Sequence, residues 1–238
     1  MPNTYFQFKQ FRIEQANCAM KVSTDACLQG AWTPLRTEIK NVLDIGAGTG
    51  LLSLMLAQRH PSISIDALEI DTAAAQQAKE NFEASPWSDR LRLIHTDAKS
   101  YCAPHRYDLI ICNPPFFNNS LLGDHTARNH ARHTLLYTYD DLIQSITQHL
   151  SDEGYASILL PWQAGRETWH RCAKKQGIFI QQELHIAPRA NAAPNRLIAI
   201  CTTQEKSKYE EITLNIRDEK HQYAQAFKDL MAPFYLAL

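Results

Sequence analysis

Strand-like runs alternate with helix-like runs from residue 42 onward, which predicts an α/β protein built on a doubly wound, mostly parallel sheet. Two further observations support that class. The runs VLDI (42–45) and YDLIIC (107–112) are nearly continuous in apolar residues, as strands covered on both faces must be. A glycine-rich turn, DIGAGTG (44–50), joins the first of them to a helix-like segment, as in α/β sheets that hold a ligand at a helix N-terminus.

The elements follow in order. GLLSLMLAQRH (50–60) carries apolar residues at helical spacing, and SISIDALEI (62–70) reads as the second strand. DTAAAQQAKENFEA (71–84) opens on Asp71 as an N-cap and is rich in helix formers. LRLIHTD (91–97) is the third strand and YDLIIC the fourth. TYDDLIQSITQHL (138–150) is an amphipathic helix, GYASILLP (154–161) the fifth strand and GRETWHRCAKKQ (165–176) another helix. IFIQQELHI (178–186) and RLIAICTT (196–203) bring the sheet to seven strands. The tail adds one strand and a final helix, with MAPFYLAL as core packing. Residues 1–40 break the alternation and read as an N-terminal arm laid against a core of 41–238, within one domain. The connection 118–138 has no clear periodicity, and connections of that length usually carry function or move.

Apolar content of 45% and charged content of 21% are ordinary globular values. A formal net charge of −1 excludes a bulk polycation, so a nucleic-acid partner must be held by local basic patches. Six cysteines show neither CxxC nor zinc-site spacing, so reduced thiols and no metal are expected. No signal-peptide core and no membrane-length apolar run is present, and the expected setting is the cytoplasm, with no membrane partner and no obligate protein partner.

Gly46, Gly48 and Gly50 let backbone approach a ligand closely, with Asp44 and Ala47 in the same turn. A dinucleotide fingerprint would place its third glycine where Leu51 stands. The glycine one residue early, at Gly50, favours an adenosyl ligand without a pyrophosphate. Glu69, at the end of the second strand with Ile70 beside it, is placed to accept hydrogen bonds from ribose hydroxyls. Asp97, followed by Ala98, ends the third strand at the carboxyl edge of the sheet. It either accepts a bond from an adenine amino group or caps a turn.

NPPF (113–116) ends the fourth strand beside the glycine turn. One proline suffices to stop a strand, so the tetrapeptide asks for more. Asn113 offers a side-chain carbonyl, and the Pro114 carbonyl is aimed by the locked φ of proline. Together they can hold the two hydrogens of an exocyclic amino group. Phe116 supplies a face for a planar base, and Pro114 and Pro115 stiffen the site toward near-attack geometry.

In this order DIGAGTG, ALEID, TDA and NPPF resemble the motifs of class I S-adenosylmethionine-dependent methyltransferases of the amino-methylating kind, whose sheet is Rossmann-like. FKQFRIEQANCAMKVSTDACLQGAW (8–32), ARHT (131–134) and the tail ending APFYL extend the resemblance over nearly the whole chain, to the bacterial tRNA valine-specific adenine-37 N6-methyltransferases. The resemblance implies S-adenosylmethionine as cofactor, a tRNA substrate, and Lys21, Thr24 and Asp25 over the methionine end of the cofactor. HTARNHARH (125–133) holds Arg128, Arg132 and His133 in a run without acids, which suits a phosphate backbone. Arg189 and Arg196 are a second candidate anionic contact. The implied reaction is in-line displacement at a sulfonium methyl, with the Asn113 and Pro114 acceptors favouring a pyramidal nitrogen and no general base. A guanine N2, a DNA adenine or a protein glutamine amide would fit NPPF as well, and the basic run favours nucleic acid. A nicotinamide dehydrogenase is disfavoured by Leu51 and by NPPF.

Overall fold

The computed structural model describes residues 3–114, 137–205 and 208–238. The arm forms a short antiparallel hairpin, β1 (Tyr5–Gln7) and β2 (Arg12–Glu14), followed by helix α1 (Thr24–Trp32). The core then runs β3 (Asn41–Ile45), α2 (Leu51–Arg59), β4 (Ser64–Glu69), α3 (Thr72–Glu83), β5 (Leu91–His95) and β6 (Tyr107–Cys112). It continues with α4 (Tyr139–His149), β7 (Leu150–Pro161), α5 (Ala164–Lys175), β8 (Phe179–Ala187), β9 (Arg196–Thr202), β10 (Glu210–Asn215) and α6 (Gln225–Met231).

The main sheet has the order β10-β8-β9-β7-β6-β3-β4-β5. Strand β9 is antiparallel to both neighbours, and the other pairings are parallel. The sheet therefore has eight strands rather than seven, the tail strand β10 pairing with β8 at its edge. Strand β7 also begins earlier than expected, at Leu150, through an irregular register against β6.

Strands β3 and β6 lie side by side near the sheet centre, as their apolar runs require. Their residues alternate between two cores. Val42, Leu109 and Ile111 join Leu28, Met55 and Phe82 beneath α1, α2 and α3, whereas Leu43 and Ile110 join Leu142, Ile146 and Trp169 beneath α4 and α5. Caps define the helices locally: Ser23 caps α1, Asp71 caps α3 as its Asp-Thr start predicts, and Thr138 with Asp141 forms a capping box on α4.

The hairpin of the arm is fastened to the tail and to α3. Lys9 donates from its backbone to the Phe234 carbonyl (2.8 Å) and from Nζ to that of Ala232 (2.6 Å). The Asn81 side chain on α3 exchanges two 2.9 Å bonds with the Glu14 backbone. In the tail, Met231 and Phe234 are core residues, but Leu236 and Leu238 are exposed, so MAPFYLAL packs only in part. All six cysteines are free, and no helix among the described residues is long and apolar enough to cross a membrane.

Candidate active site

A cavity of about 610 Å³ opens at the carboxyl edge of the sheet, between the ends of β3, β4 and β6. Its wall brings together most of the residues predicted to hold the cofactor, with two of the NPPF motif: Gly46, Ala47 and Gly48 from the glycine turn, Glu69 and Ile70 from the end of β4, Asp97 and Ala98 after β5, and Asn113 and Pro114 after β6. Lys21 joins them from the arm.

The glycine turn is held from below. The N–H groups of Gly46 and Ala47 both reach the Leu68 carbonyl at 2.9 Å, Gly50 N–H reaches the Ala47 carbonyl, and Gly48 N–H donates to Glu69 Oε2 at 2.8 Å. These donors are engaged within the protein. A pyrophosphate needs such donors, so the turn is suited to a ligand that approaches its backbone without phosphates. Gly46 (φ +74°) and Gly48 (φ +58°) face open space, and a β-carbon on either would meet nothing within 4 Å. Gly50 differs from the expectation. It is absent from the wall, and a β-carbon there would lie 2.4 Å from Phe82 Cε1, so this glycine serves the packing of α2 on α3.

Glu69 does more than its position predicted. Besides Gly48, its carboxylate accepts Asp71 N–H at 2.9 Å, so it braces the turn and the start of α3 at once. Each oxygen keeps a second acceptor direction for a ligand hydroxyl. Asp71 caps α3 through Ala74 N–H, 2.9 Å, as expected. Asp97 accepts Lys99 N–H at 2.9 Å, which is the turn-capping alternative, while still standing in the wall.

Asp44 is fully buried and lies off the wall. The Ser53 hydroxyl donates to its Oδ2 at 2.7 Å, and Oδ1 has no partner among the described residues. Burial pushes its carboxyl up to about 7 against the Ser53 bonds, and the Glu69 charge adds to the rise. Asp44 thus ties the end of β3 to Ser53 of α2.

The arm residues divide. Lys21 is an exposed wall residue whose Nζ donates to the Asn3 carbonyl at 3.2 Å. Thr24 and Asp25 lie off the wall: Thr24 bonds to Tyr235, and Asp25 pairs with Arg196 Nε at 3.2 Å. Arg196 thus ties the start of β9 to α1. Arg189 is exposed on the β8–β9 turn. Pro115, Phe116, Arg128, Arg132 and His133 lie outside the described residues.

At the rim, Pro114 is buried, and Asn113 Oδ1 is buried with no hydrogen-bond partner among the described residues. A buried, unpaired carbonyl oxygen costs about 1–3 kcal/mol, so this atom is an acceptor available at the cavity rim. Sequence reading missed other parts of the wall: Asn17 to Met20 and Val22 of the arm, and Tyr137, whose hydroxyl donates to Ser145 Oγ at 2.6 Å. No periodicity or motif spacing marks Tyr137, which reaches the cavity through the fold alone.

A second polar cluster lies on β8, α5 and β10. Glu183, His185 and Glu211 have ligand atoms within 4.8 Å of one another, as a cation site would. Arg166 already stands between the carboxylates, 2.8 Å from Glu183 and 2.7 Å from Glu211, so a cation occupies that position.

A braced glycine turn, an acidic strand end and an amide acceptor without a partner among the described residues stand on the strand order of the class I methyltransferase fold. Residues 28–158 match the methyltransferase small domain. Among curated relatives, the tRNA1(Val) (adenine(37)-N6)-methyltransferase of Shewanella sp. (strain MR-4) is 40% identical over 237 residues, covering 98% of this chain and 99% of the relative. The protein of the same name from Aliivibrio fischeri is 43% identical over 231 residues, 97% of each chain. A solved structure from Agrobacterium tumefaciens, described as a predicted O-methyltransferase, superposes with a TM-score of 0.69 over 88% of this chain and 96% of that one. At 16% identity it shows the fold alone. The chain belongs to the methyltransferase small-domain family and, within it, to the family of the tRNA1(Val) (adenine(37)-N6)-methyltransferases.

Proposed function

We propose that this protein methylates N6 of adenosine 37 in the anticodon loop of a valine tRNA, with S-adenosylmethionine as methyl donor. The observation that carries the reading is the buried Asn113 carbonyl oxygen at the rim of the cavity, which has no partner among the described residues. The names of full-length relatives supply the particular substrate. When bound, S-adenosylmethionine supplies an electrophilic methyl group on a sulfonium.

The residues present fit that cofactor. Gly46 and Gly48 leave the wall open for close contact, and Glu69 has acceptor directions left for ribose hydroxyls. Ile70, 57% exposed, offers an apolar face beside Asp97, and Lys21 offers a cation for a carboxylate. Asn113 Oδ1 and the Pro114 carbonyl accept the two hydrogens of the adenine amino group, which orients the nitrogen lone pair and disfavours its delocalisation into the ring. Phe116 stacks on the base. No side chain is required as a base, because a methylated, protonated amine releases its proton to solvent. An anticodon-loop adenine is not base-paired, so turning it into a pocket costs less than flipping one from a duplex. Arg128, Arg132 and His133 take backbone phosphates, with Arg189 as the second contact, in the cytoplasm where tRNA resides.

The test is incubation with methyl-labelled S-adenosylmethionine and separate tRNA, rRNA, DNA and protein fractions. Label should enter tRNA and digest to N6-methyladenosine. Label recovered as N2-methylguanosine or in a protein glutamine would overturn the assignment.

A further inference from the structure

Gln29 lies on α1, three residues beyond Ala26 of the cavity wall, and is fully buried. Its Nε2 donates to the Cys112 carbonyl and to the Ser157 carbonyl, each at 3.0 Å. Cys112 is the last residue of β6 and directly precedes Asn113. The β6–β7 ladder closes on the pair Cys112↔Ile158, so this amide bridges two strands where their own pairing stops. One turn later, the Thr33 hydroxyl bonds to the Gln29 carbonyl and the Ser157 hydroxyl, both at 2.7 Å, fastening α1 to β7.

The two donated bonds use both amide hydrogens. Gln29 Oε1 is left buried with no partner among the described residues. Such an acceptor costs about 1–3 kcal/mol, and a methionine of similar length would avoid it. The amide therefore serves the two carbonyls and not the apolar packing around it.

We infer that Gln29 is a positioning residue for methyl transfer: it holds the end of β6 and so sets where Asn113 Oδ1 and the Pro114 carbonyl stand over the cavity. The kinetic half of its test rests on the proposed tRNA activity; the spectroscopic half does not.

The test compares Gln29→Met with Thr33→Val in the full chain. Both remove a buried bond between α1 and β7, and the first also releases Cys112. In ¹⁵N-labelled protein without substrate, the Asn113 side-chain amide resonance, assigned by its loss in Asn113→Ala, should move in Gln29→Met and stay in place in Thr33→Val. On tRNA, Gln29→Met should lose about 10- to 100-fold in kcat, the scale of a 1 Å misplacement, with cofactor affinity and KM for tRNA within about threefold. Thr33→Val should keep all three within about threefold. If Gln29→Met does not fold, Gln29→Leu, which also lacks a donor and carries no charge, replaces it with the same expectations. An unmoved Asn113 resonance in the Gln29 variant, or an equal loss of kcat in Thr33→Val, would overturn the inference. A wild-type protein inactive on tRNA would instead sink the functional reading, and the resonance comparison would still decide the role of Gln29.

Discussion

Gly48 and Gly50 share a left-handed backbone two residues apart, yet a methyl group on each meets different surroundings. At Gly48 the methyl points into open space on the cavity wall; at Gly50 it strikes Phe82. Gly48→Ala is expected to lose about 1–2 kcal/mol of stability, the left-handed penalty alone, while cofactor affinity drops at least tenfold. Gly50→Ala adds overpacking and should lose about 2–4 kcal/mol. Denaturant titration beside calorimetry of cofactor binding separates the two, and equal stability losses would contradict the division of labour. In the proposed reaction Asn113 holds the acceptor amine. Asn113→Ala should lower kcat by about 10²–10³-fold, the loss seen when a transition-state hydrogen bond is removed. Cofactor affinity should change by no more than a few-fold, because Glu69 and the glycine turn are untouched.

Among the elements, α3 carries the joint between arm and site. Asn81 is buried, exchanges two bonds with Glu14 of β2, and donates to the Thr49 carbonyl of the glycine turn at 2.9 Å. Asn81→Ala strands those groups and should cost about 2–4 kcal/mol. It should also weaken cofactor binding, since arm residues 17–22 form part of the wall. Proteolysis near residue 15 with and without cofactor would show whether the arm has come loose. The junction of β8, α5 and β10 holds Glu183, whose buried carboxylate receives Arg166, His170, His185 and Tyr209. Burial alone would raise its pKa; the donors from His170, His185 and Arg166 outweigh it and hold the carboxyl down at about 2. A depressed carboxylate contributes stability that is complete above its unfolded value near 4.5 and is lost as pH falls toward 2. Glu183→Gln should therefore be less stable at pH 7 and show a shallower loss between pH 5 and 3 than wild type, measured by urea unfolding. A parallel pair of pH curves would remove Glu183 from the acid response.

For the whole molecule, near-zero net charge makes RNA binding depend on a few local cations. Replacing Arg128 and Arg132 together with alanine should weaken tRNA binding and flatten the log–log salt dependence by about 0.7–0.9 for each phosphate no longer neutralised. Binding isotherms at three salt concentrations measure this, with cofactor affinity as the control. An unchanged slope would move the RNA interface elsewhere on the carboxyl edge, where Arg189 is exposed.

The alternation of runs after residue 42, the apolar continuity of β3 and β6, and the Asp-Thr start of α3 were legible because each is a local requirement of backbone pairing, burial or capping. Motif residues 46–48, 69, 97 and 113–114 were legible for the same reason: they end strands on one edge of a parallel sheet, so chain order alone brings them together. The sequence by itself thus determined the class of fold, the family and the motif residues of the cavity wall. Contacts between segments far apart in the chain had no such signal. That Arg196 pairs with Asp25, that Gly50 packs on Phe82, and that Gln29 reaches Cys112 across 83 residues depend on how α1, α2 and α3 lie on the sheet. Only the tertiary structure decided these, because a salt bridge, a close approach or a buried hydrogen bond is set by distance in space, and periodicity records only distance along the chain.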